Sequence, residues 1–249
     1  MSSIEDPRVS AIQVRLRDVK EIVVFAGSKG GVGKTLISVL TSLSLSRRGF
    51  KVGFFDMDIT NPTAHLPLGV DTKSVRPAEE KGVVPPEVSG VVFMSPIFFT
   101  FDKPAPLRGE YVSSAIRELL SITRWVGVDI LVVDMPPGIS DEILELLTYI
   151  KKFRAMLVTT PSQMAVKSSV KLAEVLGNKL EAAVLNMVTE GSSEVEILLN
   201  STLRVPVYTV PYDSEIESAL GSPRRLLTTR AALEVDRQLV SHIVRLLRI

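Results

Sequence analysis

The sequence contains no cysteine. That absence excludes disulfides, thiol nucleophiles and thiolate-held metal within this chain. Histidine is nearly missing too. His65 and His242 stand far apart without ligand spacing, and read as surface or internally satisfied side chains. Tryptophan occurs once, at Trp125, where packing is the expected role. Only seven residues are asparagine or glutamine, a scarcity that accords with a thermophilic source. No apolar run reaches about 18 residues, so no membrane span is expected. Neither sign of charge dominates: 29 basic and 28 acidic residues leave a net +1. That balance supplies no whole-chain attraction for nucleic acid or an acidic partner. Met1 to Val9 is polar and lacks the apolar centre of a signal peptide, so a cytoplasmic chain is expected. A length of 249 residues with 45% apolar content suits one domain spanning 1–249.

Apolar runs of strand length alternate with helical patterns. Ile22–Ala26, Val52–Phe55, Val91–Met94, Ile130–Val133, Ala155–Val158, Ala182–Leu185 and Val205–Val210 read as strands. Their unbroken apolar character suits a parallel sheet buried on both faces. Between them, Leu36–Leu43, Tyr111–Leu120, Ile143–Leu147 and Val166–Leu176 carry helical stripes. The order predicts an α/β fold: a doubly wound, mostly parallel sheet with helices on both faces. Its ligand belongs beyond the carboxyl ends of the strands. Asp71 to Gly90 is polar and proline-bearing, and reads as a surface loop or insertion. Leu233 to Ile249 carries Leu239, Val240, Ile243, Val244 and Leu247 on one helical face. Packing against the sheet or a partner subunit is the favoured role, and a membrane surface the alternative.

Ser28 to Thr35 reads Ser-Lys-Gly-Gly-Val-Gly-Lys-Thr, between a strand and a helix. Glycines let backbone N–H groups face inward, and a helix N-terminus adds positive potential, which makes a phosphate cradle. Lys34 can reach β- and γ-phosphates, and Thr35 can hold Mg²⁺. Lys29 is not required by the ordinary pattern. Asp134 ends a buried strand, where a carboxylate can hold the Mg²⁺ shell. Pro136, Pro137 and Gly138 follow, and Gly138 allows a backbone N–H to approach a γ-phosphate. Asp56 and Asp58 end another strand on one side of an extended chain. One suits the metal shell and the other the attacking water.

With these residues in view, the chain resembles the deviant Walker A ATPases, the P-loop NTPase group that includes MinD and ParA. It is most similar to the Mrp/ApbC family of iron–sulfur cluster carrier ATPases. The segments that carry this are Asp56–Thr63, Leu107-Arg108-Gly109, Trp125–Glu142, Val158–Gln163 and Leu185-Asn186-Met187. The resemblance implies slow hydrolysis of ATP with Mg²⁺, in an ATP-dependent homodimer. Lys29 would reach across to the other subunit's phosphates, making Lys29, Lys34 and Asp58 the catalytic set. Gly30, Gly31, Val32, Gly33, Lys34 and Thr35 would bind phosphates, and Thr35, Asp56 and Asp134 the metal. Asp58 would orient the water. Asn186 matches an adenine contact, and Pro211-Tyr212-Asp213 resembles a second adenine-edge segment. Two departures stand out. Leu36 replaces a Ser or Thr that contacts the α-phosphate, and the Cys-x-x-Cys expected after Asn186-Met187 is missing. Iron–sulfur clusters are held chiefly by thiolates. The resemblance thus implies a switch that handles clusters through an iron–sulfur scaffold or client protein rather than on this chain alone. A MinD- or ParA-like spatial switch on membrane or DNA is the alternative.

Overall fold

The computed structural model describes residues 6–100, 103, 107–138 and 148–247. Ten strands run in chain order: β1 Glu21–Ala26, β2 Val52–Asp56, β3 Ala78–Glu79, β4 Val83–Val84, β5 Glu87–Val88, β6 Val91–Met94, β7 Ile130–Asp134, β8 Arg154–Thr159, β9 Leu180–Val188 and β10 Val207–Pro211. Eight of them form one sheet in the order β10-β9-β8-β1-β7-β2-β6-β5. Every pairing is parallel except β5 with β6, which is antiparallel. The expected α/β, mostly parallel sheet is therefore present. Its central strands are buried along their whole length, as sheets covered on both faces require.

All seven expected strands are in this sheet. The stretch from Asp71 to Gly90 differs from the expected loop. It folds β3 against β4 as a small hairpin and adds β5 to the edge of the main sheet. Two-residue strands carry too little periodicity to register in the sequence.

The longer helices are α1 Pro7–Leu16, α2 Lys34–Arg47, α3 Glu110–Ile122, α4 Gln163–Leu176 and α5 Ser193–Leu203. α1 is a helix the apolar pattern passed over, although Asp6 caps it and Pro7 opens it, a common start signal. The stripe at Ile143–Leu147 lies outside the described residues. α2 is buried on nearly all sides, including Ser38, Thr41 and Ser42. Those hydroxyls donate to carbonyls three or four residues back, at 2.7–2.8 Å, so their burial leaves no donor unmet. The C-terminal stretch covers this helix. Val235–Val240 forms a π-helical turn that packs on α2, and Leu239, Val240 and Ile243 are buried. The apolar face therefore serves internal packing.

Trp125 packs as expected, against Phe55 and over Gly53 in the middle of β2. A Cβ on Gly53 would stand 2.8 Å from the indole, so glycine is what lets the ring lie on the strand. At the amino ends of the strands, Arg154 sits between Glu21 at 3.5 Å and Glu181 at 2.7 Å. His242 bonds the other Glu181 oxygen at 3.1 Å, and its ring lies tilted against Tyr208 with centroids 5.5 Å apart. At the β10 edge, Gln238 donates to the Thr209 carbonyl.

Candidate functional site

The loop from Gly27 to Gly33 joins β1 to α2 at the carboxyl end of the sheet. Gly31 and Gly33 take φ of +81° and +82°, a region that side chains rarely adopt. No side chain caps α2, so its first N–H groups stay uncommitted for an anion. The loop, with Lys29, Lys34, Thr35, Asp58 and Pro137, lines a cavity of about 260 Å³.

Strand register assembles the acids. Asp56 and Asp134 lie directly opposite each other at the ends of β2 and β7, and both are 1% exposed. Lys34, also buried, reaches Asp134 Oδ1 at 2.7 Å, and Thr35 Oγ1 donates to Asp134 Oδ2 at 2.7 Å. Asp56 accepts from the Asp58 N–H and from Ser95 Oγ, both at 3.1 Å. Burial first, and the neighbouring Asp134 second, push the Asp56 carboxyl up to about 8. Two buried carboxyl groups thus have one lysine beside them, and it is bonded to Asp134. This oxygen-rich set, with a protonated carboxyl that an incoming cation would ionise, fits a hard divalent cation. Among the described residues no cluster of three or more His, Cys, Asp or Glu forms a protein-only metal cage. A cation here would complete its shell with phosphate oxygens and water.

The remaining expected residues fall in several places. Asp58 lies at the cavity, where its Oδ1 accepts from Asn61 N at 2.9 Å and Thr60 Oγ1 at 3.1 Å. Lys29 lines the same cavity and makes no ion pair among the described residues. Asn186 is 4% exposed, and its Nδ2 donates to Val32 O at 2.9 Å. It also approaches Gly33 so closely that a Cβ there would meet Nδ2 at 2.2 Å. Asn186 thus fastens β9 to the phosphate loop, a role the sequence did not reveal. The Gly138 N–H, expected to face a phosphate, instead donates to Gly27 O at 2.9 Å. It ties the end of β7 to the start of the loop.

Pro211 lines a separate cavity of about 620 Å³ beside β9 and β10. Asp213 is not presented to the phosphate cavity. Its carboxylate accepts from Glu215 N and Ala231 N, both at 3.0 Å, and so caps two short helices. Leu36 packs against the core. Ser95 was missed in the sequence. Its position just past β6 beside the acidic strand ends was the available signal.

The family model for the ParA-type NUBPL iron-transfer P-loop NTPases matches residues 18–197. An iron–sulfur cluster carrier protein of Pseudomonas fragi is 38% identical over 176 residues, covering 70% of this chain and 61% of that protein. A cytosolic Fe-S cluster assembly factor Nubp2 homolog of Drosophila erecta is 34% identical, covering 69% of this chain and 70% of its own. The chain thus spans less than two thirds of the bacterial relative's length. Among solved structures, an Archaeoglobus fulgidus nucleotide-binding protein in complex with ADP superposes with a TM-score of 0.70 at 22% identity, covering 93% of each chain. The Mg-ADP complex of the septum site-determining protein MinD from Pyrococcus horikoshii gives 0.66 at 21% identity, covering 91% of this chain and 96% of that one. Those likenesses confirm the fold. With the phosphate loop formed and the family match spanning most of the chain, this protein belongs to the ParA/NUBPL iron-transfer family of P-loop NTPases, which includes iron–sulfur cluster carriers.

Proposed function

We propose that this chain is a Mg²⁺-dependent ATPase, one domain per subunit, that pairs with a second copy when ATP is bound. We propose further that this switch acts in iron–sulfur cluster assembly or delivery. The carrying observation is the convergence of Lys34, Thr35, Asp56 and Asp134 beneath an uncapped helix N-terminus. Glycine backbone groups and Lys34 bind the β- and γ-phosphates. To do so, Lys34 leaves Asp134, which frees that carboxylate together with the Thr35 hydroxyl. Mg²⁺ entering with the nucleotide would supply the positive charge that Asp56 and Asp134 lack, and would offset charge developing on the phosphates. Asp58 then orients the water. Its Oδ1 is fixed by two donors, so its carboxylate is pre-positioned. Lys29, half-buried on the loop, reaches the other subunit's phosphates.

Cluster iron needs thiolates, and this chain has no cysteine. The cluster is therefore carried by a cysteine-bearing scaffold or client, and this chain supplies the nucleotide-driven step. The relatives named cytosolic assembly factors favour the same setting, a cytosolic one. The alternative of a membrane-bound spatial switch loses its motivation, because the C-terminal apolar face is buried against α2.

The test is sedimentation with Mg²⁺ and ATP or ADP, for the wild type and Lys29→Ala. The wild type is expected to dimerise with ATP alone, and the variant to stay monomeric. An unchanged dimer in the variant would refute the cross-subunit role. Anaerobic reconstitution with iron and sulfide, with and without a cysteine-bearing scaffold, tests the cargo. A transfer rate indifferent to ATP and to this chain would remove it.

A further inference from the structure

The end of the sheet opposite the phosphate loop carries a larger cavity, about 630 Å³, between α1 and the segment entering β8. Its floor is apolar: Leu16, Ile22 and Ile150 are buried there, with Val19 beside them. Its rim is basic: Arg17, Lys20, Lys151 and Lys152 stand around it, against one acid, Glu21. Glu21 is 7% exposed and already engaged by Arg154. Lys20 pairs with Asp129, while Lys151 and Lys152 are exposed and pair with no carboxylate among the described residues. Past Arg17, which stands 3.5 Å from Asp18, a neighbouring hollow is lined by Arg15, Asp18 and Arg124, the last 3.9 Å from Glu80. Arg15 bonds two backbone carbonyls there, so no carboxylate neutralises it. In a chain of net charge +1, this concentration of cations is local.

We infer that this cavity docks an acidic, leucine-type segment of a partner protein. The apolar floor takes the aliphatic side chains and the lysine rim takes the carboxylates. A nucleic acid fits less well. Phosphodiester backbones have no use for an apolar floor, and the only aromatic among the described lining residues, Tyr149, is half-buried rather than standing as a stacking platform. The site is separated from the phosphate loop by the length of β1, roughly 20 Å of strand. Docking here therefore leaves the nucleotide face free, and the inference does not depend on the ATPase reading.

The experiment measures fluorescence anisotropy of a labelled peptide of alternating glutamate and leucine pairs. Its lysine–leucine counterpart and a single-stranded oligonucleotide serve as controls. The acidic peptide is expected to bind, with weakening as salt rises. Lys151→Glu with Lys152→Glu should slow association about tenfold or more, while nucleotide affinity stays unchanged. Should that variant misfold, Lys151→Gln with Lys152→Gln replaces it, with a smaller loss of the same sign. Absence of acidic-peptide binding, binding indifferent to these substitutions, or an oligonucleotide that binds as tightly would each overturn the inference.

Discussion

The two ends of the central sheet each hold a cluster of charged side chains, partly exposed at the amino end and buried at the carboxyl end, and they are built on opposite terms. At the amino end, Arg154 lies between Glu21 and Glu181, and Glu181 also takes His242. Each carboxylate there has a cation or ring nitrogen within 3.5 Å. At the carboxyl end, Asp134 holds Lys34 at 2.7 Å, but Asp56 has only a hydroxyl and an N–H. The first cluster is matched in charge, although Arg154 Nε has no hydrogen-bond partner, and it serves stability. The second has one lysine for two carboxyl groups and suits a cationic ligand. A perturbed carboxyl beside a glycine loop therefore marks function here, whereas a buried ion pair alone does not.

The strongest way to break this contrast is to remove the group assigned to the water. Asp58→Asn should lower ATP turnover about 100-fold or more, with nucleotide affinity little changed. Phosphate release and nucleotide titration measure the two separately, and equal turnover would overturn the assignment. Asp56→Asn sharpens the contrast through stability. In the metal-free, nucleotide-free protein the folded state keeps a proton on Asp56 up to about 8, against an ordinary value of 3.8. The folded state then binds more protons than the unfolded chain over that window, so stability declines as pH rises through it. Asp56→Asn should abolish the slope and raise stability near the upper limit by on the order of a few kcal/mol, read as a higher melting temperature. A melting curve with the same pH slope in both proteins would count against it.

At the other end, Glu181→Gln should cost about 1–3 kcal/mol of stability and leave turnover unchanged. Denaturant unfolding alongside phosphate release checks both halves. The smallest effect belongs to His242. Burial, the leading cause, holds this ring below its usual 6.5, so the folded state prefers it neutral. Its contribution is present above that pH and is lost on acidification. His242→Gln should flatten the acid limb by less than about 1 kcal/mol, visible as parallel melting temperatures below neutrality.

Much of this arrangement was legible in the chain itself. Unbroken runs such as Ile130–Val133 announced buried parallel strands, and Ser28–Thr35 announced the phosphate loop. Asp56 and Asp134 could be named from their places at strand ends. What stayed hidden depended on pairing between distant segments. Nothing local to Asn186 shows that it clamps Val32, and nothing near Gly138 shows that its N–H is taken by Gly27. Asp213 looked like part of a base-binding segment, yet its two oxygens cap helices that begin at Glu215 and Arg230. The basic rim likewise emerges only when residues 17 and 20 meet 151 and 152.

The sheet margins carry one more consequence. β5 is two residues long and reverses direction, and its Glu87 is paired with Lys51. β10 ends in Pro211, which has no N–H to offer, and Gln238 covers its Thr209 carbonyl. Short, proline-ended or covered margins are poor templates for another chain's strand. Copies of this protein therefore lack a route to a continuous shared sheet, and unwanted fibre-like stacking is disfavoured along with it. The ATP-dependent pairing proposed above would then be made face to face rather than edge to edge.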